Sequence, residues 1–127
     1  MKTFFRLFVV LASLIFTSVA FADPAPYTQS AFDGLQKAGK SILVEVHAPW
    51  CPSCRAQAPI VNELLKKKDY QAITVLRVDF DGQKDVLKAF NVSKQSTLIV
   101  FKGAKEVGRS TGDTNSTSIE ALIQKAI

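Results

Sequence analysis

The sequence predicts an α/β domain built on a central mixed sheet of four to five strands with helices on both faces. Two observations carry that expectation. Runs rich in apolar and β-branched residues alternate with stretches of helical period through most of the chain, the order expected of strands joined by helices. Near the end, two strand-like runs follow one another directly across Gly103, and so short a link makes an antiparallel hairpin.

The chain has 127 residues, room for one compact domain. Its first residues do not read as fold. Lys2 and Arg6 give a positive start, LFVVLASLIFTSV (Leu7–Val19) is apolar, and AFA (Ala20–Ala22) offers small residues for a signal peptidase. The run falls short of the roughly 20 residues of a membrane-spanning helix. No cysteine follows it closely enough for a lipid anchor, and an uncleaved amphipathic anchor is the alternative. Residues 1–22 are therefore expected to be a signal peptide cleaved after Ala22, leaving residues 23–127 as one domain. Those 105 residues suffice for a core without cross-links.

In order, DPAPYTQ (Asp23–Gln29) is a lead-in with a short edge strand at Tyr27. SAFDGLQKAGK is a short helix with Ser30 as N-cap and Gly39 as its stop. SILVEVH (Ser41–His47) is a buried strand bounded by turn residues. From Cys51 the period changes: Cys54, Ala58, Val61 and Leu65 share one face of a helix that ends near Lys68 and is kinked at Pro59. AITVLRVDF (Ala72–Phe80) is a second buried strand and QKDVLKAF (Gln83–Phe90) a short helix. TLIVFKG and KEVGRST form the hairpin, turning at Gly103–Ala104, and NSTSIEALIQKAI closes the chain as an amphipathic helix capped near Asn115.

Loss of Lys2 and Arg6 lowers the net charge from +5 to +3. The remaining cations are scattered, and Lys66–Lys68 complement the carbonyl end of a helix. No aromatic residues interleave with arginines, so nucleic acid is not an expected partner.

Chemistry concentrates in PWCPSCRAQAP (Pro49–Pro59), which holds the only two cysteines. A staple across so short a loop contributes on the order of 2 kcal/mol, which a domain of this size does not require. Tetrahedral zinc wants four ligands, and with His47 the sole histidine one chain supplies at most three; a dimer sharing two pairs keeps that option open. The redox reading uses more of the sequence. Cys51 sits where a loop becomes a helix, so the N–H groups of Ser53 and Cys54, with the Ser53 hydroxyl, favour its thiolate. Pro52 suits the first turn because the N–H it lacks has no partner there. Cys51 is expected to be exposed and to attack, Cys54 to be sheltered and to resolve.

With those residues in hand, the chain resembles the thioredoxin family over essentially its whole mature length. ILVEVHAPWCPSCRAQAPIV is similar to that family's active-site strand, loop and helix, and STLIVFKG to the strand after its substrate-binding loop. Gly112 falls where the family packs a glycine beside the site. The resemblance implies the thioredoxin fold and dithiol–disulfide exchange through a mixed disulfide, with no cofactor. It also implies a substrate surface of Trp50, Gln95, Ser96 and Gly112. There are departures. Pro52–Ser53 replaces the Gly-Pro of ordinary thioredoxins; proline first also occurs in glutaredoxins and strongly oxidising periplasmic enzymes, but those oxidases carry histidine second. Glu45 stands for a buried aspartate, His47 for a tryptophan, and Ser96 for a cis-proline.

Glu45 interrupts an apolar run that should be covered on both faces, so its pKa should be raised, and it is assigned to accept the Cys54 proton. His47, on the same strand face, reads as a packed structural residue, with sharing of the Glu45 proton as the alternative. A cis bond before serine costs about 2.5–4 kcal/mol, so Gln95–Ser96 is expected to be trans, with the loop rearranged but still beside Cys51. Loss of the proline ring is expected to open the reduced pair to metal or a shared cluster. The chain is expected to be a monomeric, periplasmic thiol–disulfide oxidoreductase, leaning to reductase or electron relay because no oxidase-type helical insertion or motif histidine is evident. Protein disulfides or dithiols are its expected substrates and a membrane electron carrier its expected partner. A binding module of the same fold, with or without metal, is the alternative.

Overall fold

A computed structural model describes residues 23–127; the expected signal peptide and its cleavage point lie outside the described residues. In chain order the elements are β1 (Ala25–Pro26), α1 (Gln29–Lys37), β2 (Ser41–His47), α2 (Pro52–Leu65), a 3₁₀ turn (Lys68–Tyr70), β3 (Thr74–Asp79), α3 (Lys84–Ala89), β4 (Thr97–Lys102), β5 (Lys105–Thr111) and α4 (Ser116–Gln124). The strands form one five-stranded sheet in the order β1-β3-β2-β4-β5. β1, β3 and β2 run parallel, while β4 is antiparallel to β2 and β5 antiparallel to β4.

Strand alternation sends neighbouring side chains of β2 to opposite faces. Leu43, with Val75, Leu98 and Val100, packs under Val61 and Leu64 of α2 and Ile119, Leu122 and Ile123 of α4. Ile42, Val44 and Val46, with Leu76, Val78, Ile99 and Phe101, meet Phe32 of α1, Leu87 of α3 and Tyr27 on the other side. Both faces are covered, which is why Ile42–Val46 are all buried and why the strand reads as a nearly continuous apolar run. The hairpin turns at Gly103–Ala104, with Gly103 at φ 58°, in the left-handed region that glycine enters without Cβ strain.

Three local expectations are corrected. The N-cap of α1 is Thr28, whose hydroxyl accepts the Ala31 N–H at 3.1 Å; Ser30 lies in the first turn. The Tyr27 N–H donates to the Arg77 carbonyl at 2.8 Å, so the chain stays extended through Thr28 and the helix starts directly after it. The helix after the cysteines ends at Leu65 rather than near Lys68, which opens the separate 3₁₀ turn. Its buried stripe is Cys54, Gln57, Val61 and Leu64, not Cys54, Ala58, Val61 and Leu65. A glutamine sits in the sheltered row because its side-chain amide finds carbonyl partners there, as the site shows.

Candidate active site

β2 delivers the chain to the site and α2 receives it. Ala48, just past β2, is fully buried, and its carbonyl accepts the Cys51 N–H at 3.2 Å, a tight turn that drops Cys51 onto the start of α2. Cys51 is itself the N-cap: its sulfur accepts the Cys54 N–H at 3.1 Å, one of the donors that a helix start leaves without a backbone partner. Pro52 occupies the first turn, where its missing N–H costs nothing. Cys51 and Cys54 are joined as a disulfide with their Cα atoms 5.3 Å apart.

Cys51 is not exposed. It is 0% accessible, against 4% for Cys54, so in the oxidised protein both sulfurs are covered, contrary to the expectation for the attacking residue. Ala48 and Phe80 pack against the pair, and Ser96, 45 residues away in sequence, lies directly on the sulfurs. Its hydroxyl lies 3.0 Å from the Cys51 sulfur and 3.3 Å from that of Cys54, and 2.6 Å from the Ser53 hydroxyl, which itself sits 3.5 Å from Cys51. The Gln95–Ser96 bond is trans, and Ser96 adopts a φ of 62°, so a non-glycine residue is held in the left-handed region. The serine N–H does not face the sulfur; it donates to the Val46 carbonyl at 2.9 Å. Replacing the ring therefore does not open the oxidised pair, since a buried hydroxyl rests on it.

Behind Cys54 lies a small recess, roughly large enough for one water molecule, lined in part by Glu45, His47, Cys54, Gln57 and Arg77. Glu45 is 7% exposed and faces Arg77 across the β2–β3 register; its Oε2 accepts from Arg77 Nη2 at 3.0 Å and from Nε at 3.3 Å. Burial raises the Glu45 pKa, and the arginine pulls it back without cancelling the effect. His47, half-buried at the end of β2, is pushed down by desolvation and by Arg77, with Asp79 opposing.

Around the rim, Trp50 is 54% exposed and packs edge-on to Phe80, while its Nε1–H donates to Asp81 at 2.8 Å. Gln95 is half-buried beside Ser96. The Gly112 N–H donates to the Ser96 carbonyl at 3.0 Å; an added Cβ there meets nothing within 4 Å, so glycine is needed for its φ of 72° and not for close packing.

The mixed sheet lies between helix pairs and carries the cysteine pair at a strand–loop–helix junction. The family model described as Thioredoxin matches residues 24–125. The chain belongs to the thioredoxin family. It is 37% identical to a thioredoxin of Chlamydia muridarum over 84 residues, 66% of this chain and 80% of that one. It is 36% identical to the protein disulfide-isomerase erp38 of Neurospora crassa over 106 residues, 77% of this chain but only 29% of that longer protein. The crystal structure of Trxlp from Edwardsiella tarda EIB202 superposes with a TM-score of 0.77 at 37% identity, covering 80% of this chain and 98% of that one.

This thioredoxin-family chain is accordingly a thiol–disulfide oxidoreductase, with Cys51 and Cys54 as its dithiol–disulfide pair. The structure puts Ser96 on the Cys51 sulfur, ties Gly112 to Ser96, holds the Trp50 ring against Phe80 and Asp81, and sets Glu45 and Cys54 on one recess. Sequence reasoning missed three residues. Arg77 sits in a strand otherwise apolar at its buried positions, and a cation in such a run is a signal that a buried acid is near. Asp81 anchors the indole of Trp50. Gln57 ties two loops to α2 and is the one polar residue of its buried stripe besides the cysteine.

Proposed function

We propose that this chain is an exported, periplasmic thiol–disulfide oxidoreductase that works as a monomer in the reducing direction or as an electron relay. Protein disulfides are its substrates and a membrane electron carrier supplies its dithiol state. In the reduced protein the Cys51 thiolate attacks a substrate sulfur. The Cys51–substrate bond forms as the substrate disulfide breaks, and the leaving sulfur takes the electron pair. Cys54 then gives up its proton and attacks Cys51, restoring the intramolecular disulfide and releasing the substrate as a dithiol. Glu45 takes that proton, directly or through the recess it shares with Cys54. Trp50, Gln95 and Gly112 form the surface that meets the substrate, with Ser96 buried beneath it on the sulfurs.

The observation that carries the assignment is the N-cap geometry. The Ser96 hydroxyl is shared by both sulfurs, but Cys51 also accepts the Cys54 backbone N–H and has the Ser53 hydroxyl in reach, whereas Cys54 faces the Val46 carbonyl, so negative charge belongs on the Cys51 sulfur. The preference for reduction rests on the neutrality of those donors: Pro52 and Ser53 between the cysteines bring no cationic side chain to stabilise the thiolate further. Export rests on the basic start, the short apolar run and the small residues before Asp23.

Equilibration of the pair with a glutathione buffer tests the direction. A potential near the thioredoxin value of about −270 mV supports reduction, and one near the roughly −120 mV of the strongest oxidants sinks it. Cell fractionation, with N-terminal sequencing of the mature protein, tests export; a cytoplasmic product retaining residues 1–22 defeats that part.

A further inference from the structure

Ser96 is held in place by more than its own strand. Its N–H donates to Val46, and its carbonyl accepts two donors at once, the Gly112 N–H at 3.0 Å and Gln57 Nε2 at 3.1 Å. Gln57 Nε2 also donates to the Asp113 carbonyl at 2.7 Å. One buried amide, 5% exposed, thus joins the loop before β4 and the loop after β5 to α2, three residues beyond Cys54. The φ of 62° at Ser96 is one that serine keeps only where its surroundings impose it. With the backbone fixed there, the hydroxyl sits on both sulfurs and Cys51 has no accessible surface.

We propose that Gln57 is a positioning residue for disulfide exchange: it clamps the Ser96 loop over the Cys51–Cys54 disulfide, so that the oxidised protein reacts only when this clamp opens. A nucleophile must touch the Cys51 sulfur to react, and that contact requires the Ser96 hydroxyl to move. Exchange by a dithiol then proceeds in the ordinary way. Its thiolate bonds to Cys51, the Cys51–Cys54 bond breaks, the electron pair goes to Cys54, and the second thiol of the reductant closes a ring to leave both protein cysteines reduced. With its N–H and carbonyl both paired inside the chain, Ser96 itself offers no main-chain group to a bound peptide. The partner that reduces this protein is therefore one able to displace the loop.

The inference rests on Cys51 as the sulfur attacked, but not on the direction of electron flow. Its test uses dithiothreitol and no partner protein, so it fails or holds separately from the potential measurement above. The mature chain is oxidised and mixed with dithiothreitol, and the loss of the disulfide is followed by acid quench and mass. Gln57→Met keeps the volume and removes both donors. It should be reduced roughly tenfold faster than the parent, the scale set by the loss of a buried hydrogen bond. The Gly112 N–H should lose hydrogen-exchange protection in parallel. Ser96→Ala, which removes only the hydroxyl cover, should also be faster. Because both act through one loop, the double variant should fall well short of the product of the single effects. Gln57→Glu serves if Gln57→Met does not fold: its carboxylate cannot donate, whereas its protonated form keeps one donor, so its rate advantage over the parent should shrink as pH falls. A Gln57 of purely structural role lowers the unfolding midpoint and leaves the reduction rate of the folded protein at the parent value, and that result overturns the proposal.

Discussion

Glu45→Gln tests the chemistry behind Cys54. The substitution keeps the side-chain size and removes the one carboxylate that, among the described residues, lines the recess shared with Cys54 and Arg77. General acid–base catalysis commonly contributes about 10²–10⁴ in rate; because the recess has room for a water that can stand in, a slowing of roughly 100-fold is expected in release of the mixed disulfide. Stopped-flow release from a preformed Cys51 adduct measures it. In the parent this rate should climb as pH rises through the elevated Glu45 pKa, and in the variant that limb should be absent. Stability carries a matching signature. A carboxyl whose folded pKa lies above its unfolded value stabilises the fold fully below the unfolded pKa, and that contribution is lost as pH rises through the folded one. Each unit of elevation corresponds to about 1.4 kcal/mol. The lost contact with Arg77 offsets little of this, because that guanidinium is 34% exposed and turns to water. The parent and the Glu45→Gln variant should thus differ least in acid, with the variant gaining on the parent towards neutral pH in chemical unfolding. An unchanged release rate at every pH refutes the proton-acceptor role, and a stability difference that does not vary with pH refutes the elevated pKa.

Three further outcomes follow. Brief iodoacetamide treatment of the reduced protein should label Cys51 ahead of Cys54, read by peptide mass, because the helix-start donors face Cys51; labelling of Cys54 first overturns the assigned roles. Ser96→Pro cannot keep a φ of 62° or the N–H to Val46, so the loop must rebuild; insulin-disulfide turnover should rise, any metal held by the reduced parent should be lost, and stability should fall by about 1–3 kcal/mol. Parent-like turnover and metal content would make the serine a neutral replacement. Gly112→Ala meets open space but keeps a left-handed φ, so a loss of about 1–2 kcal/mol is expected from denaturant midpoints, and no change would mean that the turn tolerates a Cβ.

What the sequence made legible was local. Ser41–His47 reads as a buried strand because its apolar run is continuous, and the structure has those bounds. The Gly103 turn and the Asn115 cap announce themselves through residues that only a few backbone conformations favour, and Asn115 indeed accepts the Ser118 N–H. The redox pair was readable because strand, loop and helix are contiguous around it. What escaped depends on partners far along the chain. Glu45 meets Arg77 through the register of two parallel strands, 32 residues apart, and nothing near either residue states that register. The contact on the Cys51 sulfur comes from a serine 45 residues on, and the partners of Gln57 are carbonyls at separations of 39 and 56.

Those distant contacts share a physical cause. A proline at position 96 would have no N–H and a φ fixed near −65°, so part of the loop's backbone accounting would be settled by the residue itself. Serine in a trans bond brings an N–H that must be paired and a backbone angle that must be imposed. Val46 supplies the acceptor, Gly112 supplies one donor to the carbonyl, and a side chain of α2 three residues beyond Cys54 supplies the second. Glutamine at 57 is that side chain and also donates to Asp113, which explains why a polar residue lies in the helix's buried stripe where periodicity calls for an apolar one. Gln57 and Ser96 are thus one feature, written at two places in the chain. Each looks anomalous alone; together, the Gln57 amide satisfies the Ser96 carbonyl and the Ser96 hydroxyl is left on the disulfide.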